Sequence, residues 1–225
     1  MTAEVFRLSF PEKKHEERLI KMIFHSGAFN PTPRTFSSGI EGPCFVDLSI
    51  PMEDPMFLEL VKQGFDEVLE TQNLHYDAFC GVIRGGAPLA EMLGGYLNVP
   101  SIARLGFKED QERLKMVRGR LPIKCDVIIV DDVETTGRNA FVTYKELEGE
   151  GHNLKHVLYV MSYGLNFSRE LLGRYGLISY NLFTINDLVT VGLRDKFISR
   201  EDAVRINNWQ EELNSKSSPL IDKPN

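Results

Sequence analysis

The chain has 225 residues, with 26 basic and 32 acidic side chains, a formal charge of −6, and 42% hydrophobic, 10% aromatic and 26% charged residues. That composition excludes a collagen-like chain, a disulfide-dense mini-protein and whole-chain disorder. The length fits one domain with a respectable core and at most a small appendage. The acidic balance weighs against an electrostatic nucleic-acid binder. No apolar run reaches the ~18–20 residues of a membrane span, and Met1 to Pro11 contain no apolar signal core. A cytoplasmic chain without nucleic-acid or membrane partners is expected. Cys44, Cys80 and Cys125 lie far apart without a CxxC pair, so small core thiols in a reducing compartment are expected.

Residues 12–26 turn from charged to apolar, and Leu19, Ile20, Ile23 and Phe24 fall at helical spacing, which predicts a helix ending near Gly27. A turn-rich stretch follows, Asn30 to Pro33 and then Gly39, Gly42 and Pro43, with short strands at 34–37 and 44–50. This region reads as an antiparallel appendage. From residue 55 the pattern changes: helix 55–70, strand 78–83, helix 88–97, strand 100–105. The stretch 106–120 is polar and charged. Val127 to Val130 is a β-branched run of the kind buried on both faces of a sheet. Helix 138–149, strand 156–162, helix 168–175 and strand 178–183 continue the alternation. A last helix spans 199–212, with Ser199 as its cap, and the polar tail from Asn214 frays. The alternation predicts an α/β fold, a parallel sheet flanked by helices, whose ligands bind beyond the carboxyl ends of the strands. Three regions are expected: a helix and hood over 1–54, a core over 55–198, and a C-terminal helix with its tail over 199–225.

The stretch with most chemistry is Val127 to Asn139, VIIVDDVETTGRN. A buried strand runs into Asp131 and Asp132, which suit ribose hydroxyls or the shell of a Mg²⁺ ion. Thr135, Thr136 and Gly137 then present hydroxyls and N–H groups at a helix N-terminus, a ready seat for a phosphate monoester. Acid pairs at strand ends also occur in Mg²⁺-dependent phosphatases and receiver domains, so the pair alone does not decide. A second strand-to-helix turn, Cys80 to Ala90, contains Gly85 and Gly86, which let backbone approach an anion closely, with Arg84 as a charged grip.

The thirteen-residue run closely resembles the signature of the type I phosphoribosyltransferases, which use phosphoribosyl pyrophosphate (PRPP). The resemblance implies that Asp131 and Asp132 hold the ribose, that Thr135, Thr136, Gly137 and Asn139 form the 5′-phosphate turn, with Val133, Glu134 and Arg138 in the same stretch, and that Arg84, Gly85 and Gly86 form the pyrophosphate loop. Mg²⁺ is implied as the companion of PRPP, with Asp131 and Asp132 the side chains available to it. The stretch 106–120 stands where the family has a mobile loop, and carries Lys108, Arg113, Lys115, Arg118 and Arg120; a solvated charged helix is the competing reading.

The hood is similar to that of the orotate phosphoribosyltransferases, with Ser37-Ser38-Gly39 and then the aromatic strand around Phe45 and Val46. Ser37, Phe45, Val46, Thr135 and Tyr163 are thereby implied as base contacts, and Lys108, Arg104 and Asp132 as the catalytic set. A homodimer is implied, since relatives supply a loop lysine across an interface. Three departures stand out. Ser37 replaces a usual lysine, Leu105 and Gly106 follow Arg104 where lysine and glutamate are usual, and Met161-Ser162-Tyr163-Gly164 replaces a strand end with an arginine that pairs with the orotate carboxylate. Transfer from PRPP to a nucleobase, orotate first, is the expected function. The alternatives are another base, or a silent PRPP or nucleotide sensor on the same fold. A hydrolase built on the acid pair lacks a nucleophile setting.

Overall fold

The computed structural model describes residues 13–36, 38–105 and 120–216. The core is a five-stranded parallel sheet formed by β5 (Ala78–Ile83), β6 (Ser101–Leu105), β7 (Val127–Glu134), β8 (His156–Ser162) and β9 (Ile178–Thr184), in spatial order β6-β5-β7-β8-β9. The period-2 pattern explains why it is buried on both faces. Phe79, Ile128, Val130, Leu158 and Val160 pack on one side with α1 (Lys13–His25), α2 (Pro55–Thr71), α3 (Gly86–Leu97), α6 (Ile185–Arg194) and α7 (Arg200–Ser215). Cys80, Val127, Ile129, Val157 and Tyr159 pack on the other with α4 (Arg138–Gly149) and Leu172 of α5 (Asn166–Arg174). All three cysteines are buried and free. No helix among the described residues is long and apolar enough to cross a membrane.

The hood consists of two nested antiparallel pairs. β1 (Phe29–Asn30) pairs with β4 (Phe45–Val46), and β2 (Arg34–Thr35) pairs with β3 (Glu41–Gly42). The strands are shorter than the 34–37 and 44–50 stretches, because after Val46 the chain turns at Asp47, whose carboxylate accepts the Ser49 N–H at 3.1 Å. Pro55 enters α2 at its first turn behind the Asp54 cap, the position where a missing N–H costs nothing.

Helix α6 is absent from the sequence reading. Its β-branched Val189, Thr190 and Val191 disguise it, but its start carries a reciprocal cap. Thr184 receives the Asp187 N–H, and the Asp187 carboxylate receives the Thr184 N–H. The same box opens α7 on Ser199 and Asp202. Ser199→Ala is expected to cost about 1 kcal/mol, read as a fall in urea midpoint at unchanged m-value.

Helix α7 bridges the two parts. Trp209 packs against Phe36 and Tyr163 and donates its indole N–H to the Glu41 carbonyl at 2.7 Å. Gln210 and Asn214 donate to the carbonyls of Tyr163 and Gly164, at 2.8 and 3.0 Å, holding the turn after β8.

Candidate functional site

The sheet order reverses between β5 and β7. From β5 the chain crosses to β6 on one side, and it then returns to place β7 on the other. Loops leaving the carboxyl ends of such a pair diverge and open a crevice. Here those loops are residues 84–86 and 135–137.

The 84–86 loop packs within van der Waals distance of the end of β7 because glycines line that contact. A Cβ on Gly86 would stand 2.9 Å from the Asp131 Cα and against the Val130 carbonyl. One on Gly85 would fall on the Asp132 carboxylate, 2.7 Å from Oδ1. The Ile83–Arg84 peptide bond is cis, and the Arg84 side chain is exposed.

Strand β7 continues through both acids to Glu134 instead of ending before them. Asp131 is 6% exposed and accepts the Asp132 N–H at 3.0 Å; Asp132 accepts the Val133 N–H at 2.8 Å. Burial pushes the Asp131 carboxyl well above the usual range, and the neighbouring Asp132 charge adds to it. Burial raises Asp132 as well, opposed by its hydrogen bonds with Asp131 and Val133; Asp47 of the hood contributes a further upward push. Among the described residues, no cation stands among the groups that shift either acid.

The 135–137 turn delivers the chain into α4. Gly137 is its N-cap, with φ +70° and no side chain to cap the helix. The Arg138 N–H reaches Thr136 Oγ1 at 3.3 Å, and the Phe141 N–H closes on the Gly137 carbonyl at 2.9 Å. A helix start on a glycine N-cap beside a buried threonine suits an acceptor oxygen.

The fold that carries this strand-turn-helix has counterparts of known structure. The orotate phosphoribosyltransferase of Aeropyrum pernix superposes with a TM-score of 0.66 at 26% identity, over 76% of this chain and 97% of that one. This is the type I phosphoribosyltransferase fold, and the chain is most like the orotate phosphoribosyltransferases. In sequence, the orotate phosphoribosyltransferase of Halalkalibacterium halodurans is 25% identical over 185 residues, 82% of this chain and 88% of that one. The UMP synthase of Leishmania donovani shares the fold at TM-score 0.76 and 18% identity, over 88% of this chain, which spans 42% of that larger one. No family model matches the chain.

Set against the phosphoribosyltransferase pattern, the expected site residues divide. Asp131, Asp132, Val133, Thr135, Thr136, Gly137, Arg138 and Asn139 lie together at the end of β7 and the start of α4, next to Gly85 and Gly86. Ser37 and Lys108 lie outside the described residues, as do the loop cations other than Arg120.

Three of the expected residues have side-chain partners of their own. Glu134 does not offer its side chain to the crevice: the carboxylate is buried and receives the hydroxyls of Ser162 and Ser168. Arg104 donates from one guanidinium nitrogen, Nη2, to both Glu150 carboxylate oxygens, at 3.0 and 2.9 Å, at the C-terminal end of α4. A buried guanidinium takes the planar carboxylate that lies within reach. Tyr163 is 1% exposed, wedged between Phe36 at 4.9 Å and Trp209 at 5.9 Å, and burial raises its hydroxyl pKa, with Cys44 adding to the shift. It joins hood to core instead of offering an open face to a base. Phe45 is half-buried, with the Arg34 guanidinium 4.4 Å above its ring; Val46 is buried.

Asp47, Ser168 and Tyr159 are not among the residues expected at the site, and Ser162 stands out in the sequence only within the Met161–Gly164 stretch. Tyr159 is a fully buried phenol beside the acids, raised first by burial and then by the charges of Glu134, Asp131 and Asp132. Tyr159 and Ser162 share β8, whereas Ser168 comes from α5 and Asp47 from the turn after β4, and no single local spacing connects all of them. At the opposite edge of the sheet, His75, Asp77 and Asp126 place ligand-type atoms within 4.8 Å of one another. Their acids already serve the fold, since Asp77 accepts the Asp126 N–H at 2.8 Å and Asp126 accepts from Asn153.

Proposed function

We propose that this chain transfers the phosphoribosyl group of PRPP to a nucleobase, orotate first, giving orotidine 5′-monophosphate and pyrophosphate. The observation that supports it is the meeting of two anion-fitted turns across an acid pair at the switch point. One turn opens a helix, as a phosphate monoester requires. The other brings bare backbone against the acids, leaving room for a second phosphate group.

In this reading, Thr135, Thr136 and Gly137 hold the 5′-phosphate, with the α4 dipole favouring its charge. Asp131 and Asp132 accept hydrogen bonds from the ribose hydroxyls. Gly85 and Gly86 approach the pyrophosphate, and Arg84, exposed at the rim, closes on it. A base nitrogen forms its bond to the anomeric carbon as the carbon–oxygen bond to pyrophosphate breaks, the electron pair leaving with pyrophosphate and the base losing its proton. Positive charge grows on the ribose in between, and two carboxylates beside it lower that barrier without reorganising.

Hard carboxylate oxygens with raised pKa values, and no cation partner among the described residues, suit a Mg²⁺ ion. Asp131 and Asp132 would hold it, and when bound it neutralises charge on the pyrophosphate. A cytoplasmic homodimer completes the proposal: the free buried thiols suit a reducing compartment, and relatives pass a loop lysine between subunits.

The test is pyrophosphate release from PRPP and Mg²⁺, with orotate, uracil and the purine bases in parallel. Release with orotate is expected. Release with another base alone would replace the substrate, and measurable PRPP binding with no turnover on any base would mean a sensor on this fold.

A further inference from the structure

We propose that Ser168, acting with Glu134, is the positioning residue that fixes the shape of the 135–137 turn and thereby sets the affinity for the 5′-phosphate of PRPP. This rests on the reading of that turn as the phosphate grip.

Glu134 is the last residue of β7, one position before the turn, and its side chain is buried. Each carboxylate oxygen receives a separate hydroxyl. Oε1 accepts from Ser168 Oγ at 2.9 Å, and Oε2 accepts from Ser162 Oγ. The Glu134 backbone is tied to the same neighbour strand, since its carbonyl accepts the Tyr163 N–H at 2.9 Å. Ser162 Oγ in turn accepts the Gly164 N–H at 3.0 Å. The start of the turn is therefore anchored on its backbone and on its side chain.

Ser168 also supports the far end of the turn. Its Oγ is the nearest atom to the place where a Cβ on Gly137 would stand, 2.6 Å away, with Leu172 next at 3.3 Å. One hydroxyl thus anchors the residue before the turn and forms the floor beneath the glycine that closes it. Ser168 is 1% exposed and sits in the first turn of α5. That helix is itself held in place, because the Asn166 N–H donates to Asn214 Oδ1 of α7 at 2.7 Å. The chain of contacts runs from α7 through α5 and Ser168 to both ends of the turn.

A buried carboxylate is a costly way to fill space, because it must leave water and keep its hydrogen bonds. What two hydroxyls on one carboxylate supply, and a leucine would not, is direction. Anion-binding backbone N–H groups must be aimed to a fraction of an ångström, and a misplacement of about 1 Å can cost two orders of magnitude.

The experiment compares Ser168→Ala, Glu134→Ala and Glu134→Gln with the parent protein. PRPP affinity with Mg²⁺ is measured by calorimetry, inorganic phosphate affinity by competition, and KM for PRPP and for the base by steady-state kinetics. Ser168→Ala and Glu134→Ala are expected to weaken PRPP and phosphate about tenfold in parallel, with KM for the base unchanged and kcat within about threefold. Glu134→Gln keeps an oxygen acceptor for Ser168 and is expected to recover most of the affinity. The proposal is overturned if Ser168→Ala binds PRPP as tightly as the parent while melting lower, for then the network only supports the fold. It is equally overturned if Glu134→Gln is no better than Glu134→Ala. If Glu134→Ala does not fold, Ser168→Ala decides. A parent protein that binds no PRPP would instead sink the phosphoribosyl reading itself, before any variant is compared.

Discussion

Asp131→Asn and Asp132→Asn are each expected to slow transfer severely while making the ligand-free protein more stable. Both carboxyls have folded-state pKa values raised above the usual 3.8, chiefly by burial, so the fold holds their charge at a cost. Asparagine removes the charge and keeps the oxygen that accepts the next N–H along the strand. Melting temperature should rise by about 2–4 °C for each kcal/mol regained. The sign with pH follows from proton counting. Above pH 3.8 the acids of the unfolded chain ionise, while those of the folded chain still hold protons, so the native state binds more protons over that window. Parent stability therefore falls as pH rises from about 4 through the raised folded values, and the double Asn variant should be flatter there. Turnover should drop by at least 100-fold, the scale of losing a preorganised charge beside a developing one. A melting temperature that falls in both variants would mean that the acids stabilise the fold, contrary to the burial argument.

The parallel sheet and its crevice were legible because their signals are local. A β-branched run ending in acids, and glycines directly after a strand, can be read within a dozen residues, and the strand alternation then places both turns at one edge. The residues that the sequence misplaced belong to relations between distant segments. Glu134 stands in the signature stretch, yet its direction is decided by serines 28 and 34 positions further on. Arg104 took its expected role from the resemblance, whereas its partner in the fold, Glu150, lies 46 positions away. Tyr163 looked like a stacking residue until Phe36 and Trp209 closed on both sides of it. Helix α6 is a different case: its signal was local, a threonine three residues before an aspartate, and the β-branched run hid it.

The adjacent glycines of the first turn should part company when each is replaced by alanine. Gly86→Ala places a methyl group against the Val130 carbonyl and 2.9 Å from the Asp131 Cα, in the central strand of the sheet. That backbone is paired on both sides and cannot retreat. The expected cost is about 3 kcal/mol, a fall of roughly 6–12 °C in melting temperature. Gly85 has φ −69° and ψ −36°, a conformation alanine adopts freely. The nearest atoms in its way are those of the Asp132 carboxyl group, and a side chain can rotate where a strand cannot. Gly85→Ala should therefore keep its stability, or gain about 0.4–1 kcal/mol from a less free unfolded chain. It should nonetheless lose about 100-fold in kcat/KM, because Asp132 is turned away from the ribose. Thermal melts and steady-state kinetics on the two proteins separate these effects. Full activity in Gly85→Ala would mean that the observed position of Asp132 is not the one the reaction uses.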